Sequence, residues 1–157
     1  MNGLYISDLD GTLLLPDRTL GARSRQAINR FIERGGLFTV ATGRAAPSAA
    51  AILQGLRLSL PAIVNNGALT VDLSTGSPRR VAAMAPDAAA TVYRAAAAHG
   101  VTPVAYVLSR EERTILIHGA DPNRVTARYL DSVATHQPVS LEDPDAFARS
   151  RPRCLSF

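Results

Sequence analysis

In the first 67 residues, short apolar runs alternate with longer segments whose apolar residues recur at helical spacing. The short runs predict three strands, at 4–7, 37–41 and 61–64. The longer segments predict two helices, at about 21–34 and 47–57. Strands that alternate with helices at this spacing are typical of a parallel sheet with right-handed crossovers. The pattern therefore predicts an α/β fold for this part of the chain.

The pattern changes after Gly67. Two apolar runs around a Ser-Thr-Gly-Ser-Pro turn predict a hairpin, and an alanine-rich segment that starts at Pro86 predicts a helix. We expect further elements in this order: strands at 101–108 and 113–118, a helix capped by Asp121-Pro122 with Val125, Tyr129, Leu130 and Val133 on its buried side, and short apolar segments at 139–141 and 154–157. This half is predicted to be α+β. We place the domain boundary at 66–68, which gives domains of 1–67 and 68–157.

The end of the first strand carries two carboxylates, Asp8 and Asp10. Because side chains on a strand alternate between faces, both acids should point the same way while Leu9 points into the core. Two like charges held side by side favour a cation between them, and Mg²⁺ prefers such oxygen ligands. The alternative is a surface strand end with two solvated acids, which would be favoured for Asp-x-Asp alone. Gly11-Thr12 and the flanking apolar runs favour the metal interpretation.

Polar residues also follow the second and third strands. Thr42-Gly43-Arg44 ends the second, and Asn65-Asn66 ends the third. Because ligands bind beyond the carboxyl ends of parallel strands, these residues are expected near Asp8 and Asp10. Taken alone, Thr42-Gly43 is an ordinary strand-to-helix turn. Asn66 could contact substrate or a metal-bound water, and a turn role is equally compatible with Asn-Gly.

Composition narrows the class of protein. A chain of 157 residues with 46% hydrophobic and 19% charged residues is typical of a folded globular protein. The single cysteine, Cys154, excludes an internal disulfide and favours a reducing compartment. The sequence shows neither a signal-peptide pattern nor a membrane-length apolar run, so we expect a cytoplasmic protein without membrane contact. All 17 basic residues are arginines, and they are scattered along the sequence. Despite the net charge of +4, we therefore expect no nucleic-acid partner.

The strand-end motifs resemble those of a known superfamily. Asp8-Leu9-Asp10-Gly11-Thr12 at the end of an N-terminal strand, together with Thr42-Gly43-Arg44, is similar to the haloacid dehalogenase (HAD) superfamily of phosphotransfer enzymes. Ala-Thr-Gly-Arg and Asn-Asn-Gly-Ala at the strand ends resemble its Cof-like sugar-phosphatase subgroup. The resemblance implies a Rossmann-like core in residues 1–67 and an α+β cap domain in residues 68–157. A segment that follows Asn65-Asn66-Gly67 stands where Cof-like enzymes place their cap.

The resemblance also implies roles for the matching residues. Asp8 would be the nucleophile that forms an aspartyl phosphate, and Asp10 the general acid and base. The Asp8 carboxylate and the Asp10 main-chain carbonyl would bind Mg²⁺, the implied cofactor. Further roles would be phosphate binding by Leu9, Thr42 and Gly43 and substrate contacts by Arg44 and Asn66. The implied substrate is a small phosphorylated metabolite, a sugar phosphate by family resemblance, with flavin and pyridoxal phosphates also open.

Two parts of the family pattern have no match. The family uses a later lysine, less often an arginine, and a later Gly-Asp strand end with a second acid; this sequence has neither the lysine nor the acid pair. We therefore expect a chain truncated within the cap, with at most weak activity alone. Residues 4–7 would then form an unpaired apolar edge that favours self-association. Two functions stay open: a Mg²⁺-dependent phosphatase, or a non-catalytic HAD-like remnant that binds Mg²⁺, phosphate or a partner chain.

Overall fold

A computed structural model describes residues 3–109, 113–119, 122–132, 138–141 and 144–157. Its contacts divide the chain into two compact units, Met1–Val81 and Ala82–Phe157. This division lies beyond the predicted boundary at 66–68, because the hairpin that follows Gly67 pairs with the strand that precedes it. The assignment of 1–67 as core and 68–157 as cap stays a prediction.

The first unit contains the predicted parallel strands. Strand β1 (Leu4–Ser7) pairs in parallel with β2 (Leu37–Val40), from Leu4 opposite Leu37 to Ser7 opposite Val40. A single parallel bridge, Ala41 to Ile63, joins β2 to β3 (Ala62–Val64). Strands β4 (Leu69–Val71) and β5 (Pro78–Val81) extend this sheet in antiparallel order, as the predicted hairpin. The predicted α/β class is therefore confirmed.

Two helices connect the parallel strands. Helix α1 (Ala22–Glu33) matches its predicted range, and its apolar residues Ile28, Phe31 and Ile32 are half-buried. Helix α2 (Ala46–Ile52) is shorter than the predicted 47–57. The prediction was wrong at its C-terminal end, because Gly55 adopts a left-handed conformation (φ 88°) that breaks the helical path. Residues 53–60 instead form a connection that leads into β3.

The large apolar side chains of strand β1 are about half exposed to solvent. Leu4, Tyr5 and Ile6 are 53%, 53% and 49% exposed. Within the described part of the chain, β1 pairs with one strand, β2. This exposure agrees with the expected apolar edge, while self-association through it stays a prediction.

The second unit is a four-stranded sheet with helices, in the predicted α+β arrangement. Its strand order is β8-β7-β6-β9, formed by β6 (Val104–Leu108), β7 (Thr114–Gly119), β8 (Val139–Leu141) and β9 (Arg153–Ser156). Its helices are α3 (Pro86–Ala98), α4 (Arg124–Ser132) and α5 (Pro144–Ser150). Tyr93 of α3 stacks on Phe147 of α5 with ring centroids 4.4 Å apart, and both pack on buried residues of the sheet. Helix α5 was not predicted.

Helix α4 corrects part of the sequence interpretation. Its cap is Asn123, whose Oδ1 accepts hydrogen bonds from the main-chain N–H groups of Val125 (3.0 Å) and Thr126 (2.9 Å). Leu130 is buried as predicted, but Val125 is 78% exposed and Tyr129 41%. Asp121 and Val133 lie outside the described residues.

Candidate active site at the strand ends

The turn after β1 separates the two acids from the core as predicted. Leu9 is fully buried, whereas Asp8 and Asp10 are exposed. Gly11 takes a left-handed conformation (φ 73°), and the Leu14 N–H donates to the Leu9 carbonyl at 3.0 Å. The glycine allows the chain to reverse immediately after Asp10, which a residue with a Cβ would do only under strain. The turn therefore presents both carboxylates beyond the end of the strand.

Asp8 lies in a pocket formed by the ends of three strands. The pocket has a volume of about 360 Å³ and is lined by Asp8, Ala41, Thr42, Gly43, Ile63, Asn66 and Gly67. Asp8 Oδ1 accepts the main-chain N–H of Leu9 at 2.7 Å. Asp8 Oδ2 has no hydrogen bond or ion pair with the residues that the structure describes. This oxygen is thus available to a ligand or to a reaction.

The second strand end supplies donors to the same pocket. Thr42 is buried, and its Oγ1 accepts the Arg44 N–H at 3.2 Å, which leaves the hydroxyl proton for another acceptor. Gly43 is exposed, and its N–H has no partner among the described residues. The N–H of Leu9, by contrast, is already engaged by Asp8. Thr42 and Gly43 are therefore better placed than Leu9 to meet an added anion.

Gly43 is packed against the third strand end. A Cβ on Gly43 would lie 2.7 Å from Asn66 Oδ1, closer than van der Waals contact permits. The Asn66 N–H donates to the Thr42 carbonyl at 3.2 Å, and the Asn65 N–H donates to the Arg44 carbonyl at 2.9 Å. Asn65 and Asn66 both have left-handed conformations, with φ 50° and 53°. The main-chain hydrogen bonds hold the second and third strand ends together, and a side chain at position 43 would displace the exposed side chain of Asn66.

Asp10 is held by a double hydrogen bond from Arg44. Arg44 Nε donates to Asp10 Oδ2 at 2.7 Å, and Nη2 donates to Oδ1 at 2.6 Å. These hydrogen bonds lower the pKa of Asp10 and raise that of Arg44 from their ordinary values, against a smaller opposing effect of burial. Asp10 is therefore ionised at neutral pH. The structure places Arg44 on Asp10, the predicted general acid and base, and the predicted substrate contact of Arg44 stays a prediction.

Sequence reasoning missed two residues near the site. Ser48 Oγ accepts a hydrogen bond from Arg44 Nη1 at 3.3 Å. The sequence signal for this contact is the spacing of four residues between Arg44 and Ser48 at the start of a helix. Asn65 is 1% exposed, and neither its amide nitrogen nor its amide oxygen has a partner in the described part of the protein. No sequence pattern distinguishes this buried amide from that of its exposed neighbour Asn66.

The predicted magnesium ligands fit the metal in kind. A free carboxylate oxygen of Asp8 and a main-chain carbonyl at Asp10 are both hard donors of the type that Mg²⁺ prefers. Both carboxylate oxygens of Asp10 are engaged by Arg44. The described residues include no cluster of three or more His, Cys, Asp or Glu side chains that could hold a metal ion. Asp8 and Asp10 would thus supply part of a coordination shell, with water or phosphate oxygens completing it.

Comparison with known families identifies the chain. A family model described as haloacid dehalogenase-like hydrolase matches residues 5–148. The chain belongs to this family. The membership confirms the resemblance of the strand-end motifs to the HAD superfamily. In the parts of this HAD chain that the structure describes, no helix is long and apolar enough to cross a membrane.

Individual relatives match part of the HAD chain. Over 60 aligned residues it is 43% identical to the 5-amino-6-(5-phospho-D-ribitylamino)uracil phosphatase YwtE of Bacillus subtilis. The aligned segment covers 38% of this chain and 20% of YwtE. Over 60 aligned residues it is 40% identical to the HMP-PP phosphatase of Cronobacter sakazakii, and this segment covers 38% of this chain and 22% of that protein.

A solved structure extends the likeness in fold to nearly the whole chain. The HAD subclass IIB sugar phosphatase BT4131 superimposes with a TM-score of 0.72 at 17% identity, over 95% of this chain and 55% of BT4131. This chain thus spans about half the length of that structure, and its matches to the two relatives span about a fifth of each. At 17% identity the likeness concerns the fold alone.

Proposed function

We propose that the pocket at the strand ends hydrolyses phosphoric monoesters, with Asp8 as the nucleophile and Mg²⁺ as the cofactor. The observation that carries this proposal is the unpartnered Oδ2 of Asp8, in a pocket where the Gly43 N–H is also without a described partner. A nucleophilic oxygen beside unused donors suits an anionic phosphoryl group. Membership of the hydrolase family supports the same chemistry.

The reaction would proceed in two displacements. Asp8 Oδ2 attacks phosphorus, the bond from phosphorus to the ester oxygen breaks, and that oxygen leaves with a proton from Asp10. A water then loses its proton to Asp10 and attacks the phosphorus of the aspartyl phosphate, which releases phosphate and restores Asp8. Bound Mg²⁺, held by Asp8 and the main-chain carbonyl of Asp10, would supply positive charge against phosphate oxygens.

Arg44 would set the protonation state of Asp10 during these steps. Because its hydrogen bonds lower the pKa of Asp10, they favour the ionised form, which suits the removal of a proton from water. Protonation of the leaving oxygen needs the neutral form of the same carboxyl. Asp10 must therefore exchange its Arg44 contact when it acts as an acid. This assigns Arg44 a positioning role in addition to the substrate contact that the resemblance implies.

The phosphate group would be held by Gly43 and Thr42. Both have a donor free for an acceptor from outside the described residues, a main-chain N–H at Gly43 and a hydroxyl at Thr42. The Leu9 N–H would also bind the phosphate once a phosphoryl group on Asp8 breaks the hydrogen bond between this N–H and the Asp8 carboxylate. Asn66, whose side chain lies beside Gly43 in the same pocket, would contact the rest of the substrate.

The substrate class is a small phosphorylated metabolite. The resemblance favours a sugar phosphate, and the names of the two relatives describe phosphatases of small molecules. Flavin and pyridoxal phosphates belong to the same class.

The test is Mg²⁺-dependent hydrolysis of p-nitrophenyl phosphate by the 157-residue chain. We expect weak turnover, because the chain has no lysine to contact the phosphoryl oxygens. Asp8→Asn should abolish this turnover, and EDTA should do the same. Turnover that persists in Asp8→Asn would contradict the proposal, because amide nitrogen cannot replace carboxylate as the nucleophile.

A second candidate is phosphate binding without turnover. The double hydrogen bond between Asp10 and Arg44 favours it, since an acid held in its ionised form cannot protonate a leaving group. Binding of inorganic phosphate at the Gly43 and Thr42 amides, observed by NMR without hydrolysis in the wild type, would support this candidate. Turnover that depends on Asp8 would exclude it.

A further inference from the structure

The positive charge of this chain is concentrated in its first unit. Residues 1–81 contain nine arginines and five acidic residues, whereas residues 82–157 contain equal numbers of both. The net charge of +4 therefore belongs to the first unit. The arginines are scattered along the sequence, but the fold gathers four of them in one groove.

A groove with a volume of about 610 Å³ runs along α1 beside the connection after α2. We call it the α1 groove; Arg23, Arg25, Arg30 and Arg57 line it, and Glu33 is its only acidic residue among those described. None of these residues lines the pocket at Asp8. A volume of this size is typical of small-molecule sites.

Three of the four arginines lack a counter-charge. Arg57 forms an ion pair with Glu33. The side chains of Arg23, Arg25 and Arg30 have no hydrogen bond or ion pair with any residue in the described ranges. Several arginines elsewhere do have carboxylate partners, for example Arg94 with Asp145 at 2.8 Å. The α1 groove therefore carries three uncompensated positive charges.

Arg25 is the least solvated of the three. Its Nε is buried and has no acceptor within the described part of the structure. The side chain lies against Gly55, where a Cβ would come within 3.4 Å of Arg25 Cδ. A buried donor of a charged group without an acceptor costs free energy, and a bound anion would offset part of that cost.

The opposite wall of the groove is fixed by Asn29. Its Nδ2 donates to the Gly55 carbonyl at 2.9 Å, and its Oδ1 accepts the Arg57 N–H at 2.9 Å. The two bonds attach the connection after α2 to the middle of α1. Arg57 is thereby held across from the arginines of the helix, so that part of the binding geometry exists before a ligand arrives.

Two of these arginines lie at the end of α1 where positive charge is unfavourable. Arg23 and Arg25 lie in the first turn of α1, where the helix dipole is positive, and this turn has no acidic residue and no capping side chain. Such a placement weakens the helix start unless an anion compensates it. Proteins commonly carry such locally destabilising residues at functional sites, so the placement of Arg23 and Arg25 is consistent with a binding site.

We propose that the α1 groove binds a small anion with two or more phosphate groups, such as a diphosphate or a nucleotide polyphosphate. Guanidinium groups match phosphate oxygens with paired N–H donors, which a single charge on lysine does not provide. Three uncompensated arginines suit an anion of comparable negative charge. The helix arginines of the groove, from Arg23 to Arg30, span about two turns of α1, a length that suits a small anion better than an extended nucleic acid.

The experiment titrates the 157-residue chain with inorganic diphosphate and follows binding by calorimetry and by ¹H–¹⁵N NMR of backbone amides and arginine Nε–H groups. We expect saturable binding that shifts the Arg25 Nε–H signal and the amides of α1. The affinity should fall as salt is added, because exposed charges are screened.

Variants separate this groove from other basic surfaces. Arg25→Gln with Arg30→Gln should weaken diphosphate binding by about tenfold or more, as expected when charge-assisted hydrogen bonds are lost. Arg80→Gln makes the same type of change at an exposed arginine of β5 and should leave the affinity unchanged. Circular dichroism checks that each variant is folded.

Three outcomes would overturn the proposal. These are the absence of saturable binding by the folded wild type, an equal loss of affinity in Arg80→Gln, and shifts confined to the amides of Thr42 and Gly43. The last would place the anion in the pocket at Asp8. Tighter binding of a single-stranded oligonucleotide than of diphosphate would overturn the assignment to a small molecule. Loss of the α1 groove site would leave the phosphatase proposal standing, because that proposal rests on other residues and is tested by Asp8→Asn.

Discussion

Replacing Arg44 by glutamine should raise the pKa of Asp10 and destabilise the first unit at neutral pH. The substitution removes the two hydrogen bonds, of 2.7 and 2.6 Å, that Arg44 donates to the carboxylate. The side chains are 21% exposed for Arg44 and 49% for Asp10, so water screens their attraction. For such an ion pair we expect a loss of about 0.5–1 kcal/mol, nearer the upper value because the contact is bidentate.

The effect depends on pH with a definite sign. Because the folded pKa of Asp10 is lowered, the pair stabilises the folded state above the ordinary carboxyl value of 3.8. That contribution is lost as the pH falls through the lowered folded value. The difference in free energy of unfolding between wild type and Arg44→Gln should thus be full at neutral pH and should disappear in strong acid.

Two measurements check this prediction. A ¹³C NMR titration of the Asp10 carboxyl reports its pKa in both proteins, and urea denaturation at neutral and acidic pH reports the free energy of unfolding. Arg79→Gln is the matched control; it removes a longer contact, 3.4 Å to Asp72, and should leave the pKa of Asp10 unchanged. If Asp10 titrates at the same pH in wild type and Arg44→Gln, the assignment of Arg44 as the group that controls its charge is refuted.

Two further substitutions test the packing around the site and the second unit. Gly43→Ala places a Cβ 2.7 Å from Asn66 Oδ1, the end of an exposed side chain that can rotate away, so it should cost less than about 0.5 kcal/mol in urea denaturation; a much larger loss would show that the Asn66 side chain is fixed against Gly43. Asn123→Ala removes the cap of α4 and should cost about 1 kcal/mol, seen as faster amide exchange throughout α4, while Arg124→Ala should leave the exchange nearly unchanged. Unaltered exchange in Asn123→Ala would show that the cap contributes nothing.

The arrangement of the three strand ends was predictable because it follows from local rules. Leu9, just after β1, is buried and its neighbours Asp8 and Asp10 are exposed, as side-chain alternation continued past the strand predicts. Parallel order then brings Asp8, Gly43 and Asn66 to one edge of the sheet, and the pocket is lined by all three. These inferences need only side-chain periodicity and the topology of a parallel sheet.

The partners of individual side chains were not predictable, since tertiary contacts decide them. Arg44 and Asp10 are 34 positions apart in sequence, and nothing in either motif specifies that they pair rather than contact substrate. Asn29 and Arg57 likewise meet only after the connection that follows α2 folds against α1. Val125 fits the apolar stripe of α4 but is exposed, because periodicity identifies a face without showing what covers it.

The most direct test of the central claim is covalent labelling of Asp8. The 157-residue chain is incubated with radiolabelled acetyl phosphate and Mg²⁺, quenched in acid and mapped by peptide mass spectrometry. We expect a phosphoryl group on Asp8 that hydroxylamine removes, that is absent in Asp8→Asn, and that persists longer in Asp10→Asn because water activation is lost. No label on the wild type, label on another residue, or equal labelling of Asp8→Asn would contradict the assignment of Asp8 as the nucleophile.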